Sequence, residues 1–325
     1  MKYFPALLLL LLTALGAQAS DSLLYIEAQG VGGYSRSDMD KEYVYRSGNA
    51  DDVMQLNSVG FDFIKKFSSE TGDFGAAAVQ GRLAYNEDKD KAEFQLYNAY
   101  LKAKTSIVDI WAGHDRTAFG LASFWDTHGD LLQPLPMYGF GFDRDWGAGL
   151  SKDTEHGDIK MALTTGTGMG IKAKGNWLLT SRASYGVLSY DNYNIGLSGM
   201  AGKKPDVMGY EIMDKLKETL IGALDASFNH SRFEHKAEIN IGKKNKKNAF
   251  AGFYRMGINF LEENRLKLEG QYVYTEEEDV KDYAAGGGIT FKFNSWLTGR
   301  IMYEWQHDMN ERRIIAQLYL YYFAL

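Results

Sequence analysis

The chain has 325 residues, with 36 basic and 42 acidic side chains and a formal net charge of −6 at neutral pH. This mild acidic excess excludes the basic footprint of a nucleic-acid-binding protein, so no nucleic-acid partner is expected. The sequence contains no Cys, which excludes a disulfide framework. The sequence has 35 Gly and 4 Pro, a ratio that favours bent strands rather than helices, because Gly is costly inside helices.

Residues 1–19 have the features of a secretory signal peptide. Lys2 gives a basic start, residues 7–12 form an unbroken run of Leu, and Ala17-Gln18-Ala19 matches the small-x-small cleavage pattern. The apolar run is too short for a transmembrane helix, which needs about 20 apolar residues. We therefore expect export from the cytoplasm, cleavage after Ala19, and one mature domain over 20–325.

The mature chain alternates apolar and polar residues over segments of about ten residues. In 265–274, for example, Leu266 and Leu268 alternate with Lys267 and Glu269. The same alternation recurs in 232–241, 283–293 and 297–306. Segments of about ten residues are long enough to cross a membrane as tilted strands, whereas soluble sandwiches use strands of about 5–6 residues.

We therefore predict an all-β fold, a transmembrane antiparallel up-and-down β-barrel of about 16 strands. The predicted strands are 22–34, 53–67, 73–86, 91–103, 105–113, 144–152, 157–167, 176–188, 191–201, 219–229, 232–241, 248–260, 264–275, 282–293, 295–306 and 313–323. Long connections are expected after odd-numbered strands, notably 35–52, 114–143 and 202–218, and tight turns after even-numbered ones. This alternation predicts both termini in the periplasm. Within the third long connection, 205–218 is predicted to form a short helix over the barrel mouth.

The final strand places Tyr319, Tyr321, Phe323 and Leu325 on one face. This pattern resembles the C-terminal sorting signal of outer-membrane barrels, which usually ends in an aromatic residue. Here the terminal position is Leu325, and Phe323 stands two residues before it. The resemblance places the barrel in the outer membrane of a Gram-negative-type cell, with membrane lipid and lipopolysaccharide as its surroundings.

The segment 114–143 follows the fifth predicted strand and is too long for a hairpin turn. Here the chain resembles the trimeric sixteen-stranded porins, whose third external loop folds inward as a constriction. The stretch Ala112-Gly113-His114-Asp115-Arg116-Thr117-Ala118-Phe119-Gly120-Leu121 is similar to the Gly-x-x-x-x-Pro-Phe-Gly motif of phosphate-selective porins and their relatives, with Ala118 at the Pro position. The resemblance implies a passive diffusion channel and a homotrimer. Phosphate selectivity is not carried over.

A barrel of about 16 strands is wide enough to leave an aqueous channel. An acidic loop that faces a basic wall would create a transverse field that favours small polar solutes or ions. The candidate constriction residues are Asp115, Arg116, Asp126 and Asp130 on the loop side and Arg82, Arg182, Arg255 and Arg300 on the wall. The alternative is that these side chains are solvated lumen charges at other depths. Because positive and negative lumen charges nearly balance, the ion preference stays open.

Two other function classes are compatible with a barrel. An outer-membrane lipase or protease needs a Ser–His–Asp relay, and Ser123, His114, His128 and Asp115 share the long loop, but no Gly-x-Ser-x-Gly elbow is present. A surface receptor with a closed lumen would need more elaborate loops or a plug domain. Gly166 to Gly170 looks like a phosphate loop but lacks the required Lys-Ser/Thr pair, so it is predicted to be a loop tip. The interpretation as a porin implies no metal or organic cofactor.

Overall fold

A computed structural model describes residues 22–38, 40–48, 55–70, 72–87, 89–278, 280–308 and 310–325. The predicted signal peptide lies outside these residues. In the described ranges, helical structure is limited to single turns at Leu121–Ser123, Leu135–Tyr138, Leu188–Asp191 and Glu262–Asn264. None of the helices in this part of the chain is long and apolar enough to cross a membrane.

Strands make up most of the described chain. They are β1 (Ser22–Arg36), β2 (Lys41–Val44), β3 (Ser58–Ser69), β4 (Gly72–Asn86), β5 (Lys91–Lys104), β6 (Asp109–Arg116), β7 (Arg144–Thr154), β8 (Gly157–Thr164), β9 (Trp177–Tyr185), β10 (Tyr193–Met208), β11 (Glu211–His230), β12 (Phe233–Lys244), β13 (Lys247–Phe260), β14 (Leu266–Glu277), β15 (Val280–Lys292), β16 (Leu297–Gln306) and β17 (Glu311–Phe323). Each predicted strand corresponds to one of these, with ends that differ by up to eight residues.

The strands close into a ring. β1 pairs with β17 over twelve residue pairs, from Tyr25 with Phe323 to Arg36 with Arg312. On its other side β1 pairs with β3, while the short β2 only extends one end of β1 as a hairpin. The remaining strands pair antiparallel with their neighbours in sequence, so the barrel has 16 strands and the predicted fold class is confirmed. Closure leaves no sheet edge, which is what allows a sheet to span lipid.

The alternation in sequence decides which residues face lipid. On β12, Ile239 and Ile241 are 45% and 62% exposed on the outer surface, whereas Glu238 and Asn240 are 4% and 0% exposed inside. On β1, Ile26 points outward and Glu27 inward, with 42% and 1% exposure. The hydrocarbon-facing surface is therefore apolar and the interior is polar, as the alternation predicts.

The two rims of the barrel differ. Short connections, such as residues 155–156 and 231–232, lie at one rim with both ends of the described chain, and we call this rim the turn end. The opposite rim, the loop end, carries the long connections 37–57, 117–143 and 165–176. The two rims give the lumen two structurally distinct mouths.

The prediction of a long loop at 202–218, with a helix at 205–218, is wrong. β10 and β11 continue as a paired hairpin up to Gly209 and Tyr210, with one irregularity in register between Pro205 and Val207. The physical reason is that one face of the hairpin end is covered by other residues at the loop end: Lys204 and Pro205 are buried, and Val207 lines a cavity. The regular alternation of lipid-facing and lumen-facing residues that marks the other strands is therefore lost there.

Candidate pore constriction

The segment 117–143, which we call the constriction loop, docks against the inner wall of the barrel. Its backbone N–H groups donate to inward-facing side chains of three strands, β9, β10 and β12. Ala118 donates to Thr180 Oγ1 of β9 at 3.2 Å, and Gly120 donates to Ser198 Oγ of β10 at 3.0 Å. Leu121 donates to Glu238 Oε2 of β12 at 2.9 Å. The loop therefore runs across the lumen and does not extend into solvent.

Gly120 is required at this contact for two reasons. Its φ of +58° lies in the left-handed region, and a Cβ there would lie only 2.4 Å from Glu238 Oε1. A side chain at this position would displace the carboxylate that accepts from Leu121. The Gly of the porin-like stretch thus has a structural explanation in this chain.

Apolar contacts also hold the loop. Phe119, Leu121, Leu135 and Phe140 of the loop are at most 2% exposed and form one cluster with inward-facing wall residues. The wall residues in this cluster are Leu178, Met200, Ile221, Ala223, Ala249, Ala251, Phe253, Val273 and Ala284. Burying a large apolar side chain contributes about 1.5–3 kcal/mol, so this cluster is a main source of docking energy. Sequence analysis missed it, because apolar residues on the lumen side of a strand break the alternation.

Arg255 on β13 anchors the far part of the loop. Its guanidinium donates to Asp130 Oδ2 at 2.9 Å and to the Leu132 carbonyl at 2.8 Å, and its Nε donates to Gln271 at 2.8 Å. The ring of Trp125 stacks on it at 4.5 Å. The predicted loop residue Asp130 and the predicted wall residue Arg255 are thus brought together, but as a buried anchor with 3% of the Arg255 surface exposed.

Asp126 is the most accessible acidic group of the constriction loop. Its carboxylate lies 2.8 Å from Arg116 and 3.5 Å from Arg144, yet 55% of its side chain is exposed. Burial inside the barrel raises the pKa of Asp126, but the two guanidinium groups outweigh this, so its pKa lies below the usual value. Arg144, which sequence analysis did not single out, also bonds Asp143 and stacks over the Tyr97 ring at 3.8 Å.

His128 brings the loop to the opposite wall. Its Nε2 lies 2.7 Å from Glu27 Oε2 on β1. Its ring lies 4.1 Å from Tyr97 on β5 and 6.3 Å from Tyr319 on β17. Because the same loop also contacts β9, β10, β12 and β13, it spans the lumen from one wall to the other. Neither His128 nor Glu27 was among the predicted constriction residues.

Three predicted wall and loop residues have other partners. Arg182 is 1% exposed, makes a two-point contact with Asp225 at 2.6 and 3.0 Å, and lies under the Phe124 ring at 4.7 Å. Arg82 donates to Gln95 at 2.8 Å. Asp115 accepts from the backbone N–H of its neighbour Arg116. Arg182 is therefore a buried support beneath the loop.

Arg300 is the predicted wall cation that is best placed to act on solutes. It is partly exposed, donates to the neutral Gln317 at 2.8 Å, and lies 5.2 Å from the Tyr319 ring. A Cβ on Gly129 of the constriction loop would lie 3.5 Å from its Nη1, so Arg300 faces the loop directly.

A cavity of about 320 Å³ lies between the constriction loop and the loop end. It is lined by both polar and apolar groups, including Tyr97, Gln133, Tyr138, Asp143, Arg144 and Val207. The β10–β11 hairpin bends over this cavity. The hydroxyl of Tyr210 at its tip accepts from the Leu96 N–H at 3.1 Å and donates to the Leu96 carbonyl at 3.4 Å.

The Gly-rich segment is a loop, and its backbone is already occupied. Asp145 accepts from the N–H groups of Gly166, Thr167 and Gly168 at 2.6, 3.1 and 3.0 Å. An internal carboxylate thus takes the place that a phosphate would need. Within the described ranges, no group of three or more His, Asp or Glu side chains is arranged to hold a metal ion.

These features define a class, namely a transmembrane β-barrel whose lumen is narrowed by an internal loop. The chain is similar to Salmonella typhi OmpF in complex with daunomycin, with a TM-score of 0.67 at 11% identity over 93% of this chain and 97% of that chain. It is also similar to an anion-selective porin from Comamonas acidovorans, with a TM-score of 0.64 at 11% identity over 93% and 100% of the two chains. For the DcaP channel of Acinetobacter baumannii the TM-score is 0.60 at 11% identity over 94% and 99%.

No protein-family model and no curated protein matches the sequence. At these identities the likeness concerns the fold. The chain therefore has the fold of the Gram-negative outer-membrane porins, as the resemblance implied.

Proposed function

We propose that the protein is an outer-membrane porin through which small polar solutes and ions diffuse passively. The observation that carries the proposal is a group of charged side chains around the constriction loop inside a polar lumen: the half-exposed Asp126 with Arg116 and the buried Arg144, and the partly exposed Arg300 beside Gly129. Such a group favours hydrated polar solutes and opposes apolar ones, because charges act strongly inside a barrel with low-dielectric walls.

The balance of charges favours a weak preference for anions. Asp126 faces two guanidinium groups, and Glu27 is engaged by His128. Arg300 donates to a neutral amide and lies beside the passage. The positive charge of Arg300 is therefore less compensated than the other charges near the constriction loop. The similarity to an anion-selective porin agrees with this proposal.

The test is ion conduction by the purified protein in planar lipid bilayers. We expect steady, ohmic current steps and a reversal potential in a salt gradient that indicates weak anion preference. A silent protein, inserted at a density at which a general porin conducts, would contradict the function. A conducting protein with cation preference would contradict only the selectivity.

We further propose a homotrimer in the outer membrane, with the turn end in the periplasm. The outward faces of β1, β16 and β17 carry Gly30, Gly32, Gly299 and Ala316, which leave an apolar groove of about 700 Å³ where another barrel can approach closely. A related barrel, OmpT of Vibrio cholerae, occurs in a trimer form. Native mass spectrometry of the detergent-extracted protein tests this, since a monomer at all concentrations contradicts it.

Lipopolysaccharide is a proposed neighbour of the loop end. Lys203 and Lys243 are exposed near the loop-end termini of β10 and β12. Lysine ammonium groups at this level suit the phosphates of the lipid headgroup. Charge reversal of both residues is expected to weaken retention of lipopolysaccharide during purification, measured by phosphate content per protein.

We propose a channel in preference to an enzyme because the side chains that a catalytic relay would need make other contacts. Ser123 Oγ donates to the Gly120 carbonyl at 2.8 Å, and His128 bonds Glu27. His114 packs on Trp146 at 4.9 Å. Hydrolysis of fluorogenic ester and peptide substrates by the refolded protein, abolished by Ser123→Ala, would support the enzyme instead.

A further inference from the structure

The inward faces of β1 and β17 carry a line of aromatic rings that starts at the turn end. The Tyr25 ring lies 5.3 Å from Phe323 and stacks on Tyr321 at 4.6 Å, with 12° between the planes. Tyr321 in turn lies 6.3 Å from Tyr319, and their planes are nearly parallel at 9°. Three of these residues alternate along β17, so the lumen-facing side of this strand is aromatic over its last five residues.

The line continues through the constriction. Tyr319 lies 6.3 Å from the His128 ring, which lies 4.1 Å from Tyr97, and Tyr97 lines the cavity below the loop end. A bulge in the pairing of β4 with β5, at Gln80 and Gly81, leaves Tyr97 as the extra residue that turns inward. We call the six rings together the aromatic lane: Tyr97, His128, Tyr319, Tyr321, Tyr25 and Phe323. The aromatic lane joins the cavity between the constriction loop and the loop end to the turn-end mouth.

The lane differs from the apolar cluster that docks the loop. Phe119 and Phe140 in that cluster are 2% and 1% exposed, so their rings are covered by packing. Tyr25, Tyr97 and Tyr321 are partly exposed, and Phe323 at the turn-end mouth is 52% exposed. Tyr319 and the His128 side chain are only 9% and 7% exposed. The ring surface that a passing solute can reach therefore lies mainly at Tyr25, Tyr321 and Phe323, which point into the lumen near the turn end.

Polar groups of both charges flank the lane. The Tyr321 hydroxyl donates to Asp62 on β3 at 2.7 Å, and Glu27 on β1 meets His128. On the other side, Arg300 lies over the Tyr319 ring and donates to Gln317. A solute that lies on the rings would therefore find hydrogen-bond acceptors on one edge and donors on the other.

This arrangement matches the chemistry of a sugar. A pyranose ring has apolar C–H faces that pack on an aromatic face, and a rim of hydroxyl groups that both donate and accept hydrogen bonds. We propose that the aromatic lane binds oligosaccharides in transit, which rests on the proposed channel function and names its substrate class. The hydroxyl groups of a sugar match this edge of acceptors and donors, and the exposed rings of Tyr25, Tyr321 and Phe323 offer apolar surface to its C–H faces.

The experiment measures block of ion current by maltotriose in planar bilayers. Maltotriose should interrupt the current in a concentration-dependent manner, whereas a polyethylene glycol of similar mass, which has no sugar rings, should not. The test variant is Tyr321→Leu, which removes a lane ring and keeps an apolar side chain. The matched control is Tyr322→Leu, since Tyr322 is the next residue of β17 and is 52% exposed on the outer surface.

For Tyr321→Leu we expect about a tenfold rise in the half-blocking concentration, which corresponds to about 1.4 kcal/mol, the scale of one aromatic stacking contact. For Tyr322→Leu the half-blocking concentration of maltotriose should equal that of the unmodified protein. If the protein conducts but maltotriose blocks the current no more than polyethylene glycol does, sugar binding by the aromatic lane is rejected and the porin function stands. The lane is overturned in the same way if a cationic aromatic such as phenethylammonium blocks the current and the sugar does not.

If the protein does not conduct, failure of the porin function can still be distinguished from failure of the sugar site. In that case the porin function fails, and maltotriose binding to the detergent-solubilised protein by isothermal titration calorimetry decides the lane by itself. Heat of binding that Tyr321→Leu reduces and Tyr322→Leu preserves supports a sugar site in a barrel that does not conduct. No binding heat rejects both proposals.

Discussion

Replacing Gly120 by Ala should release the constriction loop from the inner wall. The new Cβ would lie 2.4 Å from Glu238 Oε1, so the carboxylate must move and lose the hydrogen bond from the Leu121 N–H. The control is Gly139→Ala in the same loop. Gly139 also has a positive φ, +80°, but a Cβ there meets only the flexible end of Lys244 at 3.4 Å.

The difference between the two variants combines backbone strain with the docking contact. At Gly139 (φ 80°, ψ 8°) a side chain in the left-handed region costs about 1–2 kcal/mol, whereas Gly120 (φ 58°, ψ −156°) lies in a region open essentially only to Gly, where the cost is about 1–3 kcal/mol. Only Gly120→Ala also loses a hydrogen bond to a charged group, which contributes about 1.5–3 kcal/mol. A difference of about 2 kcal/mol raises the undocked population about 30-fold, because every 1.4 kcal/mol is a factor of ten.

Cysteine labelling measures that population. The chain has no Cys, so Ala122→Cys introduces a single thiol at a position that is 7% exposed in the docked loop. When undocking is faster than labelling, the rate of reaction with a water-soluble thiol reagent is proportional to the undocked fraction. We expect about 30-fold faster labelling in Gly120→Ala than in Gly139→Ala. Equal rates in the two variants would refute the docking of the loop through Glu238.

The contacts of the lumen support three more predictions. Arg300→Gln removes a cation that is bonded to a neutral amide, so the reversal potential in a salt gradient should move toward cations; an unchanged value excludes Arg300 from the constriction. Arg182→Met leaves the Asp225 carboxylate buried without its partner, so unfolding in urea should lose about 3–5 kcal/mol, and the double variant with Asp225→Leu should recover much of it; a single variant as stable as the unmodified protein contradicts the buried pair. Tyr210→Phe removes both hydrogen bonds between the hairpin tip and Leu96, so exchange of the Leu96 amide hydrogen should accelerate. Equal exchange rates in the variant and the unmodified protein would contradict these hydrogen bonds.

The fold is predictable because the membrane imposes a simple rule on each strand. Where lipid covers one face and water the other, alternation is strict, as in Leu266 to Glu269, and the strand can be recognised from sequence. The rule fails where the environment changes. The ends of β10 and β11 lie at the loop end, where Lys203 and Lys215 are exposed in place of apolar residues, and their sequence pattern wrongly indicates a loop.

The constriction is harder to predict because it depends on contacts between distant segments. Among the candidate residues, Asp126 meets Arg116 and Asp130 meets Arg255, since acidic loop residues in a polar lumen meet the nearest guanidinium groups. Arg182 has the same sequence signal, but its partner Asp225 lies on a strand two positions along the sheet, which no local pattern reveals. His128 meets Glu27 across 101 residues, so this contact too is beyond the reach of sequence reasoning.

The central claim is that solutes cross the barrel through a lumen narrowed by residues 117–143. Liposome swelling tests it most directly, because purified protein reconstituted into liposomes admits only solutes that fit through the narrowest level. The account predicts fast swelling in arabinose, slower swelling in sucrose and the slowest in raffinose, with the three rates drawn closer together by Gly120→Ala. Liposomes that do not swell in any of these sugars, or that swell equally in all of them, would contradict it.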